Sequence, residues 1–122
     1  MTISIKHVNQ LKSAFFYAVE AGTPEKIFSD EIKSLLPKNK ELKILSLGKA
    51  ASSMAEKMAD MNLSQTGIVV TNDENFRHIE NFTCFATGHP FPDKRGLNAA
   101  KKVEEFLELS LIHISEPTRH RL

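Results

Sequence analysis

Leu42-Lys43-Ile44-Leu45-Ser46-Leu47-Gly48-Lys49-Ala50-Ala51-Ser52-Ser53-Met54-Ala55 is the stretch whose reading decides the fold. Its first six residues form a short aliphatic run bounded by Gly48, which predicts a strand. Beyond the glycine the pattern turns helical. Ala50, Ala51, Met54, Ala55 and Met58 make a narrow face of small and flexible side chains, suited to close packing on a sheet.

Toward the C-terminus, Gly67-Ile68-Val69-Val70-Thr71 predicts a second buried strand and Phe82-Thr83-Cys84-Phe85-Ala86-Thr87 a third. The residues between them, Asn72 to Asn81, are polar and read as a loop. Gly88-His89-Pro90-Phe91-Pro92-Asp93 is a loop stiffened by two prolines, and Asp93 is placed to cap a helix through Leu97, Ala100, Val103, Phe106 and Leu107. Toward the N-terminus, Ile5, Val8, Leu11, Phe15, Phe16 and Val19 recur at helical steps, and Gly22 is placed to end that helix. Thr23-Pro24-Glu25 starts a second, broken helix with a hydroxyl cap, and Ile27, Phe28, Ile32, Leu35 and Leu36 give it a buried side. Pro37 to Lys40 is an exposed turn.

Alternating strand and helix favours a parallel sheet with helical crossovers. The expected class is therefore α/β, a Rossmann-like core preceded by N-terminal helices.

Composition narrows the function classes. Sixteen basic against 15 acidic residues leave a net charge of +1 with no basic stripe, which argues against nucleic acid as a partner. No segment has the length and apolarity of a membrane span, and the first residues lack the basic head and apolar stretch of a signal peptide, so the expectation is a cytoplasmic protein with no membrane partner. Cys84 has no partner for a disulfide and reads as a core residue. Met54, Met58 and Met61 read as core filler, and the five histidines make no metal-ligand spacing.

Two loops remain as carriers of chemistry. Gly48-Lys49 sits where a strand hands over to a helix, where an open α/β sheet presents its ligand crevice. The glycine permits a tight turn, the helix start favours an anion, and Lys49 adds a full positive charge; a structural turn with a solvated lysine is the equal alternative. The loop is not a Walker A motif, since Lys43 and Ala50 stand where that pattern needs glycine and a hydroxyl, and a dinucleotide fingerprint is excluded by Ser46 and Ala51. Ser52 and Ser53 follow in the first helical turn, where a hydroxyl can meet an anion or merely face solvent. Gly88 and His89 lie at the next strand-to-helix junction and should open on the same rim. His89 either orients a ligand or fixes its own loop by a hydrogen bond. There is no serine-hydrolase elbow and no paired-carboxylate constellation.

In combination, Leu45-Ser46-Leu47-Gly48-Lys49-Ala50-Ala51 with Met54-Ala55, Gly67-Ile68-Val69-Val70-Thr71, and Gly88-His89-Pro90-Phe91-Pro92-Asp93 with Gly96-Leu97 and Ala99-Ala100 resemble the glycerate 2-kinase family that carries a MOFRL domain, a family also described as hydroxypyruvate reductase. The resemblance runs from about Leu11 to Glu108. It implies the N-terminal, Rossmann-like part of a two-domain enzyme that transfers the ATP γ-phosphoryl group to the 2-hydroxyl of D-glycerate with Mg2+. It places the catalytic lysine on Lys49 and the substrate cleft at Gly48, Lys49, Ser52, Gly88 and His89. Ser46 departs from the glycine or alanine common in the family. The missing partner is the C-terminal domain of the same polypeptide, and without it this chain is expected to be inactive. The alternatives are a hydroxypyruvate reductase and a non-catalytic α/β anion-binding module.

Residues 1–108 are thus expected to be the kinase part. From Leu109 to Arg119 the helical periodicity breaks, and the string resembles a translated sequencing adapter, so 109–122 is expected to be a non-native or disordered tail.

Overall fold

The computed structural model describes residues 2–38, 40–61 and 65–113, the last four as backbone only. The chain divides into two compact units, Met1–Leu36 and Pro37–Leu122.

The first unit is helical. Helix α1, Ile5–Ala21, starts at Ser4, whose hydroxyl accepts the amide of His7, and ends at Gly22. Two short helices follow, α2 (Pro24–Ile27) and α3 (Asp30–Leu35), so the second helix is indeed broken. Thr23 stands at the start of α2 but does not cap it. Its hydroxyl donates back to the Glu20 carbonyl at 2.8 Å, because a threonine next to a finished helix can satisfy that helix's last carbonyls instead. The buried side expected for α2 and α3 is not formed, since no residue of either is buried. Helices of four and six residues are too short to enclose an apolar face.

The second unit is the α/β core. Strands β1 (Leu42–Leu47), β2 (Gln65–Asn72) and β3 (Phe82–Thr87) form one parallel sheet in the order β1-β2-β3. Helix α4, Ala51–Asp60, crosses from β1 to β2 and packs on both. The crossover from β2 to β3 has no α-helix. It is a 3-10 turn, Asp73–Asn75, an irregular run, and a turn at Glu80 and Asn81 closed by the Phe82 amide donating to the Ile79 carbonyl at 3.1 Å, where Asn81 takes a positive φ of 68° that asparagine tolerates. Register runs from Leu42↔Gln65 to Leu47↔Val70 on one side of β2 and from Gly67↔Phe82 to Asn72↔Thr87 on the other.

The core lies under α4. Ala51, Ala55, Val69 and Ile79 are buried together, with Ala59, Phe82 and Cys84 packed against them. Small residues on α4 bring its axis close to the sheet. Ile79 is the surprise, because it buries itself in the core from a largely polar loop and so anchors the connection; burying such a side chain stabilises by about 1.5 to 3 kcal/mol.

Helix α5, Lys94–His113, packs on β3 through its Ala99 side. Val103 and Phe106 are half-buried, while Leu97 and Leu107 are exposed. The helix also runs past Glu108, where the sequence pattern ends. Periodicity decides which side chains a helix buries and not whether the backbone is helical, and Leu109 is 60% exposed on it. Residues 114–122, the rest of the expected tail, lie outside the described residues. No helix among the described residues is long and apolar enough to cross a membrane.

Candidate functional site: a crevice at the strand ends

Parallel strands bring their C-terminal ends to one edge, and there the second unit holds a crevice of about 460 Å³. Leu47 closes β1 and hands over to Gly48 and Lys49. Val70, Thr71 and Asn72 end the central strand. Thr87 ends β3 and hands over to Gly88 and His89, so two loops far apart in sequence face one another across the end of β2.

The first rim is built by backbone. Gly48 has φ +106°, a conformation that strains any L side chain, although nothing lies within 4 Å of where a Cβ would stand. Its amide donates to the Val70 carbonyl at 3.0 Å, extending the β1–β2 ladder into the turn. Its carbonyl accepts the Ala51 amide at 3.2 Å, which begins α4. No side chain caps α4 and no acid stands in its first turn, so the dipole at its N-terminal end is uncompensated. Ser46 does not crowd this turn. Its hydroxyl donates to the Ala51 carbonyl at 2.8 Å and pins the start of the helix to the strand.

The second rim is built by charge. A Cβ on Gly88 would stand 2.6 Å from the Phe91 carbonyl oxygen and 2.7 Å from Asp93 Oδ2, so the loop closes on itself only because this residue is glycine. The His89–Pro90 peptide is cis. Asp93 caps α5, accepting the Gly96 amide at 3.2 Å, and its Oδ2 lies against Gly88. Arg95 grips Asp73 with two parallel bonds of 2.6 and 2.8 Å and reaches Asp93 at 2.8 Å. These contacts with Arg95 hold the carboxyls of Asp73 and Asp93 below the usual aspartate range, and the amides of Gly88 and Gly96 add to the effect at Asp93. The same pairs raise the Arg95 guanidinium further above its ordinary value.

Of the residues expected to meet a ligand, Gly48, Lys49, Gly88 and His89 line the crevice together. Ser52 does not. It is 1% exposed, and its hydroxyl donates to the Asn75 carbonyl at 2.8 Å, so it ties α4 to the β2–β3 connection. Ser53 accepts from Arg77, which also forms two bonds with Glu56, one turn along the helix. Thr71, Asn72 and Thr87 are lining residues that the sequence reading passed over. The signal for them was present, since all three lie at the end of a strand in a parallel sheet, Asn72 and Thr87 as final residues and Thr71 just before. Thr87 donates to the Thr71 carbonyl at 3.3 Å, and the Asn72 side-chain oxygen accepts from Asn75 at 2.7 Å, which fixes the polar floor.

Fold and crevice together define an α/β domain with an open crevice at the C-terminal ends of its parallel strands. A more particular assignment follows from residues 10–111, which match the family described as a domain of unknown function, DUF4147; the chain belongs to that family, whose domain forms the N-terminal part of MOFRL-family glycerate kinases. Among solved structures, the PH0495 protein from Pyrococcus horikoshii OT3 is similar, with a TM-score of 0.66 and 21% identity. The likeness covers 88% of this chain and 27% of that protein, so the chain spans about a quarter of its length. At that identity the likeness establishes the fold alone. No curated protein matches the chain.

Proposed function

We propose that this chain is the N-terminal part of an ATP-dependent glycerate 2-kinase, which passes the ATP γ-phosphoryl group to the 2-hydroxyl of D-glycerate and yields 2-phospho-D-glycerate and ADP. The observation that carries the reading is that Lys49 and His89, from separate loops, line one crevice at the strand ends. In this proposal Lys49 supplies a compact positive charge to the phosphoryl group in flight or to the substrate carboxylate. Gly48 lets ligand and backbone approach, and Gly88 and His89 orient D-glycerate from the opposite rim. The second domain of the same polypeptide, which lies beyond this chain, supplies the other wall of the cleft. Alone the chain binds but does not turn over. A cytoplasmic setting belongs to the same reading.

Magnesium is part of the proposal only as the ion that accompanies ATP. Among the described residues no three His, Cys, Asp or Glu converge to hold a metal, and no carboxylate lines the crevice, so these residues do not by themselves fit it. Lys49 and His89 are the titratable side chains of the crevice lining, with no carboxylate beside them, which favours the second reading, a non-catalytic anion-binding module, as the alternative.

Steady-state kinetics with D-glycerate and ATP on a polypeptide carrying both domains separates the two. Lys49→Ala is expected to lower kcat about a hundredfold, on the order of 3 kcal/mol, with folding unchanged because the side chain is exposed. Lys49→Arg should recover only part, since a planar fork does not replace a compact ammonium in a tight loop. An alanine variant that keeps more than about half of the original kcat removes Lys49 from the mechanism.

A further inference from the structure

Arg95 stands in the first turn of α5, where the helix dipole disfavours a cation. Something must outweigh that cost. Its guanidinium makes the bidentate pair with Asp73 and a shared contact with Asp93, an arrangement that goes beyond an ordinary surface ion pair because the geometry is planar and two carboxylates share it. Asp73 directly follows Asn72, the last residue of β2, and Asp93 Oδ2 lies against Gly88, the first residue beyond β3.

We propose that Arg95 is a positioning residue for the crevice, a bridge that ties the end of β2 to the Gly88–Asp93 loop and so sets where Gly88 and His89 stand. The proposal rests on the anion-site reading for its functional meaning, while its mechanical content stands on the bridge itself. Two ties hold these strand ends at different levels. Below, Asn72 and Thr87 are the last pair of the β2–β3 ladder. Above, the chain Asp73–Arg95–Asp93–Gly88 closes the same gap with charged bonds. Because Asp93 Oδ2 lies against Gly88 with no room for even a Cβ, a displaced Asp93 displaces Gly88, and His89 follows its neighbour. Arg77 offers a matched control, since it forms a comparable pair with Glu56 but anchors α4 to the β2–β3 connection rather than the loop.

The test reads the loop without a ligand and the site with one. Amide hydrogen exchange at Gly88 and His89 is measured in the chain and in Arg95→Met, Arg95→Lys and Arg77→Met, and each protein is titrated with inorganic phosphate and with D-glycerate by 15N chemical shifts. Arg95→Met is expected to speed exchange at Gly88 about tenfold and to weaken phosphate binding about fivefold, as the loss of one network of this kind implies. Arg95→Lys should restore part of both, and Arg77→Met neither. Should Arg95→Met fail to fold, Asp73→Asn opens the same bridge from its other end and is held to the same outcome. Unchanged exchange at Gly88 in Arg95→Met, or an equal effect from Arg77→Met, overturns the proposal. A wild-type chain whose shifts do not move with phosphate or D-glycerate sinks the anion reading instead, and the exchange measurement still decides Arg95.

Discussion

The two rims of the crevice do similar work by different physics. The Gly48–Lys49 rim is held by main-chain bonds to Val70 and Ala51 and by one glycine in a conformation other residues resist. The Gly88–His89 rim is held by a carboxylate folded over a glycine and by a guanidinium shared between two aspartates. Main-chain bonds are indifferent to pH and to most substitutions, whereas the charged rim responds to both. One loop is thus a fixed wall and the other an adjustable one.

Gly88→Ala should break the comparison most sharply. The new methyl meets the Phe91 carbonyl and the Asp93 carboxylate at once, so the loop must open at a cost of about 2 kcal/mol, read by denaturant melts and by faster exchange at His89. Gly48→Ala tests the other rim. It meets open space and pays only for backbone strain, about 1 kcal/mol, with the Gly88 amide unaffected. An equal loss at both positions would mean that steric closure is not what holds the second rim.

The smallest effect is the pH dependence. Asp73 and Asp93 have folded-state values lowered from an ordinary 3.8, by Arg95 first. A group lowered in the folded state stabilises the fold above its unfolded value and gives that stability up as pH falls through the folded one. Melting temperatures should therefore decline below about pH 4, and Arg95→Met should flatten that decline. Glu56, lowered by Arg77, adds to the same limb, so Arg95→Met should leave part of it in place. A decline of the same steepness with and without Arg95 would detach the second rim from its charges.

Much of the fold was legible in order. β1 falls on the aliphatic run and β3 on the run of phenylalanine and β-branched residues that announced them, because such a short run between polar turns has few other uses. β2 is longer than its aliphatic run, taking in Gln65, Thr66 and Asn72. Gln65 is buried, with its amide donating to the Met58 carbonyl at 2.6 Å, and a buried glutamine is invisible until its partner is known. Ser52 was misread for a related reason. A hydroxyl near a helix start suggests a ligand, yet Ser52, Ala55 and Ala59 lie at helical spacing and turn the same small face toward the core. The placement of the loop glycines and Lys49 at the strand ends was legible because a glycine there has a physical meaning. Asp73 and Arg95 were not, since residues this far apart in sequence show their pairing only after the sheet has brought their strands together.

The last ladder pair, Asn72↔Thr87, has a consequence for which insertions the domain can accept. Residues gained or lost in the run from Phe76 to Asn81 change only the length of a connection, provided Ile79 keeps its place in the core, Arg77 its bonds to α4, and the Asn81 carbonyl its bond from Gly67. A single residue gained within β3 does something else. It carries Gly88 and His89 one strand step, about 3.3 Å, along the axis and turns Thr87 to the opposite face of the sheet. The width of the crevice is thus counted in whole residues, and only the loops beside it can vary by degrees.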